Sequence, residues 1–287
     1  MTIRTENANT IDAAAKAAPS AGSLGLARTR LELKAFFREK DALIFSFLFP
    51  IIMLGIFSVV FGGEDSAIGD GAPAIDFTQY FLPGMIAAGI FLVSFQTLAI
   101  TIAIERDDGT LKRLRGTPMP PVSYFLGKIG MVLITALAQT ALLLACAGLI
   151  FRVELPIDPS SWLTFAWVFV LGTAAGTVLG IAYSSVPKSG RSAPAVVTTP
   201  VLILQFISGV FFVYSDLPTW LQHIAAIFPL KWMAQGMRSV FLPPEFEAAE
   251  VSGSWQHGLT AVVLVAWLLV GLVLCVRTFR WQRRDAG

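Results

Sequence analysis

Six long apolar runs are the feature of this sequence that most restricts its fold. Each holds about 20 or more mainly apolar residues, which is the length that an α-helix needs to cross the hydrocarbon core of a membrane. Inside lipid, the backbone N–H and C=O groups of such a run must bond to one another, so the run crosses as a helix. We therefore predict an all-α, polytopic membrane protein with six transmembrane helices, at Ala42–Phe61, Gln79–Ile104, Tyr124–Ile150, Trp162–Val186, Ala193–Val213 and Gln256–Val276.

The positions of lysine and arginine predict the orientation of these spans. Basic residues crowd the segment before span one, the connections after spans two and four, and the segment after span six, whereas acidic residues prevail in the other connections. Because positive charge near a span is retained in the cytoplasm, we expect a multi-pass protein of the cell membrane with both termini cytoplasmic. The basic residues are Arg28, Arg30, Lys34, Arg38, Lys40, Arg106, Lys112, Arg113, Arg115, Lys128, Lys188, Arg191, Arg277, Arg280, Arg283 and Arg284, and the acidic ones are Glu64, Asp65, Asp70, Asp76, Glu154, Asp158, Asp216, Glu245, Glu247 and Glu250.

The regions outside the spans differ in composition. Residues 1–23 are polar, and we expect a disordered cytoplasmic tail there. Residues 24–41 alternate apolar with charged side chains, which predicts an amphipathic helix in the membrane interface. The transmembrane domain covers 42–276, and 277–287 form a basic cytoplasmic tail. The formal net charge of +2 is the sum of two unlike faces and gives no reason to expect a nucleic-acid partner.

The inner loop 105–121, between spans two and three, has the pattern of a short helix. Asp107 or Asp108 offers an N-terminal cap, Leu111 and Leu114 fall on one face, and Gly116 with Pro118 ends the helix. Such a knob, tied closely to two spans, is suited to receive force from a docked protein. The alternative is a solvated connector whose basic residues only fix the topology.

The predicted spans place no acidic, basic or histidine side chain deep in the membrane, where ion-driven carriers need one. The deep polar side chains are neutral, and they either bond to neighbouring helices or contact a substrate. A substrate path would include Gln96, Gln139, Gln205 and Ser208. In span four, Gly172, Gly176 and Gly180 form a small-residue stripe that serves either packing within the chain or a dimer seam.

The sequence also lacks the Gly-x-x-x-x-Gly-Lys-Ser/Thr phosphate loop of an ATPase. Energy from ATP would therefore come through a partner subunit, which would bind the ATP and magnesium, while this chain binds no cofactor or metal. Catalysis by the chain itself would need clustered nucleophiles, carboxylates or metal ligands, and the acidic residues are scattered along loops. We therefore expect a transport subunit rather than an enzyme.

The segment 214–244, before span six, is too apolar for an ordinary loop, yet prolines break it. No piece of it is long enough to cross a membrane. We predict two short re-entrant helices that dip into the outer leaflet; the alternative is an amphipathic hairpin at the head groups. The residues that characterise this outer segment are Trp220, Leu221, Phe228, Pro229 and Trp232.

Several motifs together resemble one transporter family. The run from Glu105 to Pro118 with Gly127-Lys128 resembles the inner loop of ABC type-2 exporter permeases, especially the daunorubicin-resistance-like drug exporters. Tyr80-Phe-Leu-Pro-Gly84, Ile207-Ser-Gly-Val-Phe-Phe212, Leu217-Pro-Thr-Trp-Leu221, Phe228-Pro-Leu230 and Arg238 extend the likeness, which covers roughly Leu26 to Val276.

The resemblance implies a coupling helix in the inner loop, seated in a groove of a cytoplasmic ABC ATPase subunit, and a transporter of two permeases and two ATPases. It implies export of an apolar or amphiphilic compound such as a drug, by alternating access, past re-entrant helices that cap the exit. The alternatives are export of a lipid or a lipid-linked glycan, and an ATP-independent carrier. The implied coupling residues are Glu105, Arg106, Gly109, Thr110, Leu111, Lys112, Leu114, Arg115 and Pro118.

Overall fold

The computed structural model describes residues 20–61, 75–279 and 281, and all regular secondary structure in this part of the chain is helical. The predicted all-α class is confirmed. The predicted N-terminal tail falls outside the described residues up to residue 19, as do Glu64, Asp65, Asp70, Arg280, Arg283 and Arg284. The α-helices are α1 (Ala21–Phe36), α2 (Lys40–Phe61), α3 (Phe77–Asp107), α4 (Thr110–Arg115), α5 (Pro121–Leu149), α6 (Pro159–Tyr183), α7 (Ala193–Ile207), α8 (Thr219–Ile227), α9 (Pro229–Phe241) and α10 (His257–Thr278).

Among the described residues, four helices are long and apolar enough to cross a membrane, namely α3, α5, α6 and α10. The apolar part of α2, Ser46–Phe61, and the whole of α7 are shorter. Helix α7 stops at Ile207, short of the predicted end of span five at Val213, because Gly209 turns the chain with a φ of 77°. Such a left-handed conformation is readily available only to glycine.

Helix α3 is the centre of the bundle and α10 lies at its edge. In the most apolar stretch of α3, 83% is buried inside the protein, whereas in that of α10 only 17% is buried. Helix α3 contains a π-helical stretch, Leu92–Thr97, where the wider backbone turn changes its direction. The side chain of Ser94 in this stretch donates a hydrogen bond to the backbone oxygen of Ile90 at 2.7 Å.

The small-residue stripe of α6 packs within the chain, against α3 and α9. Gly172 faces Met233, and Gly176 faces the side chain of Ser94. A Cβ on Gly180 would lie 2.8 Å from the carbonyl oxygens of Ser94 and Phe95. The stripe therefore seats α6 on the π-helical stretch, and it is buried against this chain rather than free for a second copy.

We expect Gly180→Ala to destabilise the protein by about 1–3 kcal/mol, because the new methyl group meets backbone atoms that cannot rotate away. Thermal unfolding of the purified protein in detergent measures the effect. Gly258→Ala is the matched control, since a Cβ at that position of α10 meets nothing within 4 Å. Equal unfolding temperatures for the two variants would contradict the packing described for α6.

The bundle has two ends, which we call the α4 end and the α9 end after the short helices found there. Helix α1 lies at the α4 end, where its face of Gly25, Thr29, Glu32 and Phe36 packs along the first half of α5. At the same end, the ring of Trp281 lies 5.7 Å from that of Tyr124. The first and last described segments are therefore on the same side of the bundle.

Helix α1 begins at Ala21, before the predicted start at residue 24, because Ser20 caps it by accepting a hydrogen bond from the N–H of Ser23 at 3.2 Å. It ends at Phe36, and a separate helix begins at Lys40. Beyond the face that packs on α5, the helix leaves Leu26 and Leu31 exposed, as is Phe37 directly after it.

Candidate functional site

The short helix predicted in the inner loop is present as α4. Gly109, with a φ of 78°, turns the chain out of α3, a backbone conformation that a side chain would strain. The carboxylate of Asp108 accepts a hydrogen bond from the N–H of Thr110 at 2.8 Å, and the Arg113 guanidinium donates to the Thr110 hydroxyl at 3.0 Å. These local bonds fix a helix that is too short to persist alone.

The two sides of α4 differ sharply. Leu111 is fully buried in the apolar core and Leu114 is half-buried, so one side anchors the helix to the bundle. The other side is exposed and basic, with Lys112, Arg113 and Arg115. We call these three residues the basic tip. Beside it, a cleft of about 510 Å³ is lined by Leu114, Arg115, Thr117, Pro118, Met119, Pro120, Pro121 and Trp281.

Glu105, at the end of α3, belongs to an ionic cluster that joins three helices. The ammonium of Lys128 on α5 donates to Glu105 Oε1 at 2.7 Å and to Glu32 Oε2 of α1 at 2.7 Å. The Tyr124 hydroxyl donates to the other oxygen of Glu105 at 2.7 Å, and Arg28 Nη2 lies 2.6 Å from Glu32 Oε1. We call Arg28, Glu32, Glu105, Lys128 and Tyr124 the ionic cluster.

The next two residues of α3 bind to a different part of the bundle. The guanidinium of Arg106, which is buried, donates to the backbone oxygen of Ser184 at the end of α6. The carboxylate of Asp107 accepts a hydrogen bond from the N–H of Gly190, in the connection between α6 and α7, at 2.9 Å. Three consecutive side chains therefore join the segment before α4 to α1, to α5 and to the end of α6 with the connection that follows it.

The neutral polar residues predicted for a substrate path lie on different helices. Gln96 is in the π-helical stretch of α3, Gln139 is on α5, and Gln205 and Ser208 are at the end of α7. All four are buried, and neither amide atom of Gln205 has a hydrogen-bond partner. The Gln139 carbonyl, the Gln96 carbonyl and the Ser208 hydroxyl are likewise unbonded. Buried polar atoms without partners are costly, so these side chains retain capacity to bind another molecule.

At the α9 end, the segment before α10 forms two helices joined at Phe228 and Pro229. The indole N–H of Trp232 on α9 donates to the backbone oxygen of Ala226 at 2.7 Å, which closes the pair. Trp267, in the middle of α10, donates to the backbone oxygen of Ile227 at 2.7 Å, and its ring stacks on that of Phe228. Helix α9 is buried between α3, α6 and α10, whereas Trp220 of α8 is exposed and Leu221 is half-buried.

Sequence reasoning missed a buried ion pair at the α9 end. Arg238 Nε lies 2.5 Å from Glu250 Oε1, with side-chain exposures of 1% and 6%. A second cation, Lys231, is buried beside them and donates to the side-chain oxygen of Gln235. Burial raises the pKa of the nearby Tyr214 hydroxyl to about 12, so it stays protonated and donates to the backbone oxygen of Gln222 at 2.7 Å. The signal in the sequence is a pair of cations inside a segment that otherwise reads as apolar.

The described residues contain no group of three or more histidine, cysteine, aspartate or glutamate side chains placed to hold a metal ion. Cys146 and Cys275 are not joined in a disulfide. The candidate functional features therefore lie at the two ends of the bundle. The anchored basic helix α4 is at one end, and the pair of α8 and the buried α9 is at the other.

Comparison with known proteins finds one matching family and several similar permeases. The family described as the ABC-2 type transporter matches residues 26–242. The inner membrane transport permease YadH of Escherichia coli is 23% identical over 222 residues, which are 77% of this chain and 83% of that protein. The daunorubicin resistance ABC transporter permease protein DrrB1 of Streptomyces coeruleorubidus is 24% identical over 245 residues, 81% of this chain and 77% of that one. The probable multidrug ABC transporter permease YbhR of Escherichia coli is 25% identical over 174 residues, 59% of this chain and 45% of that protein.

Proposed function

Because the chain belongs to the ABC-2 type transporter family, we propose that it is the permease subunit of an exporter, moving an apolar or amphiphilic compound out of the cytoplasm. The names of the relatives DrrB1 and YbhR favour drug-like compounds. An ATP-binding partner subunit holds the ATP and magnesium, and this chain carries the substrate. The observation that carries the proposal is α4, a helix anchored in the bundle on one side and basic and exposed on the other.

The proposed topology has six crossings. Helices α3, α5, α6 and α10 cross by their own length, the apolar part of α2 crosses together with the turns of α2 that precede it, and α7 crosses together with the residues that follow it. The α4 end faces the cytoplasm, since the exposed basic residues of α1, α4 and the α6–α7 connection lie there. Both termini are then cytoplasmic. The exposed apolar side chains of α1 lie against the membrane interface.

Helices α8 and α9 are proposed to be re-entrant, and their contacts with α6 and α10 support this. Trp267 bonds to the α8–α9 junction from a position about 15 Å along α10, at 1.5 Å per residue. Along α9, Met233 faces Gly172 of α6, and Phe241 then reaches Trp162 near the start of α6. The junction therefore lies well inside the bundle, and α9 climbs back toward the outer surface. Backbone at this depth is tolerated because it is packed against protein.

The basic tip is proposed to dock into the ATPase. Among the described salt bridges, none involves Lys112, Arg113 or Arg115, so their charges are free to meet a partner. Complementary charge speeds and orients association, so the facing groove of the ATPase is expected to be acidic. The cleft beside α4, whose lining includes Leu114, Met119 and Trp281, gives the same partner a place for an apolar side chain.

We expect the double variant Lys112→Ala/Arg115→Ala to weaken association with the ATPase by roughly tenfold and to flatten its dependence on salt. Co-purification at increasing salt concentrations measures both effects. Arg152→Ala is the matched control, because this exposed arginine lies outside the basic tip in the connection between α5 and α6. Retention of the ATPase by the double variant at the level of the control would contradict docking through the basic tip.

Transport is proposed to work by alternating access. Closure of the ATPases on ATP would push α4, and the residues before it would carry the movement to α1, α5, α6 and α7. The unbonded carbonyl oxygens of Gln96 and Gln139, the amide of Gln205 and the Ser208 hydroxyl would offer polar contacts to an otherwise apolar substrate. A second permease copy completes the proposed transporter. Export of a lipid or a lipid-linked glycan is the alternative, since apolar walls suit these substrates as well.

A further inference from the structure

We propose that Lys128 is a positioning residue that binds α1, the end of α3 and α5 into one rigid body, through which the movement of α4 reaches the spans. This inference rests on the proposed function, because it concerns how the coupling movement is transmitted. It assigns the role to a buried ammonium group that touches neither the substrate nor the ATPase.

One ammonium group joins three helices that are distant in sequence. Lys128 has no exposed side-chain surface, and its two carboxylate partners, Glu32 and Glu105, lie 96 and 23 residues away along the chain. The remaining oxygens of these carboxylates face Arg28 and Tyr124. Among the contacts described, Lys128 is therefore the only member of the ionic cluster with hydrogen bonds to both other helices, whereas the Arg28–Glu105 pair that joins α1 to α3 is longer, at 3.7 Å.

The charges of the ionic cluster balance, with two cations and two anions. Replacing a buried ion pair by apolar residues of similar size is often neutral or stabilising, so such a pair is weak grounds for a stabilising role. We infer that the ionic cluster instead fixes the relative positions of the three helices, since Lys128 can reach Glu32 and Glu105 together only when α1, α3 and α5 are in this arrangement. Removing a single member is different, because it leaves a buried charge without a partner.

The surrounding packing shows why α1 moves with α5. Cα atoms of α5 come close to α1 at Gly130, where a Cβ would lie 2.8 Å from the Thr29 methyl group. Glu105 then attaches the end of α3 to this pair of helices, while Arg106 and Asp107 attach the same segment to the α6–α7 connection. A push on α4 therefore acts through Glu105 on α1 and α5, and through Arg106 and Asp107 on the α6–α7 connection. Lys128 determines whether α1 and α5 move together with the end of α3.

The test separates stability from coupling by restoring the charge balance without restoring the bridge. Lys128→Met alone leaves an excess carboxylate, and we expect it to lower thermal stability. Lys128→Met/Glu105→Gln leaves Arg28 paired with Glu32, and Lys128→Met/Glu32→Gln leaves Arg28 beside Glu105 at 3.7 Å. Arg30→Met, which removes an exposed charge from α1, is the control. Each variant is assembled with the ATPase in liposomes, and its unfolding temperature, ATP hydrolysis and daunorubicin transport are measured.

We expect both double variants to regain the unfolding temperature of the wild type and to hydrolyse ATP, while the transport per ATP hydrolysed falls roughly tenfold. The control is expected to keep the wild-type ratio. A double variant that regains both stability and the wild-type ratio would overturn the positioning role and leave the proposed function intact. Wild-type transport that needs no ATP would instead overturn the proposed function itself.

Discussion

Replacing Glu250 with glutamine is expected to lower the free energy of unfolding by about 3–5 kcal/mol, since it breaks a buried ion pair from one side. Arg238 would keep its charge with an exposed fraction of 1%, and Lys231 beside it would remain a second buried cation. The loss should exceed that of Arg238→Met, after which the charge of the buried Lys231 still acts on the Glu250 carboxylate. Thermal unfolding in detergent measures both.

Glu245→Gln is the matched control for this prediction, because Glu245 lies in the same segment and is exposed. We expect its unfolding temperature to match that of the wild type. If Glu250→Gln unfolds at the same temperature as the control, the Arg238–Glu250 pair does not hold the end of α9 in place. The support for α9 as a fixed outer element is then lost.

Replacing Leu111 with aspartate is expected to reduce ATP-driven transport by roughly 100-fold, since several kcal/mol are lost when a carboxylate enters an apolar site. Leu111 has no exposed surface and is the residue that seats α4 in the core. A helix of this length that is released from its seat does not hold its shape and cannot pass on a push. Transport per ATP hydrolysed, measured in liposomes with the ATPase, gives the effect.

Leu111→Met is the control for α4, because a volume-conserving swap costs less than about 1.5 kcal/mol. It should retain most of the transport. Equal transport by the aspartate and methionine variants would show that the seat of α4 does not matter for coupling.

The spans were predictable because their signal is local. The length of a run of apolar residues can be read directly from the sequence, so α3, α5, α6 and α10 follow from it. The short helix α4 was predictable for the same reason, since Asp108 and Gly116 act on the backbone around them, whereas the turn at Gly109 was not predicted.

Contacts between distant segments were not predictable in this way. The sequence placed Lys128 at the end of a span as a topology marker, yet its partner Glu32 is 96 residues away. Arg238 and Glu250 lay in what reads as an outer loop, although the fold buries both. The π-helical stretch of α3 has no sequence signal that we could use, because it is seated by Gly176 and Gly180 of another helix. The early end of α7 depended on the backbone turn at Gly209.

The most direct test of the account is the ATP dependence of transport by the assembled proteins. The chain, purified with its partner ABC ATPase, is placed in liposomes and the movement of a fluorescent amphiphilic drug is followed. We expect transport that requires both proteins and stops when ATP is replaced by a non-hydrolysable analogue. Transport at an unchanged rate without the ATPase, or with the analogue, would contradict it.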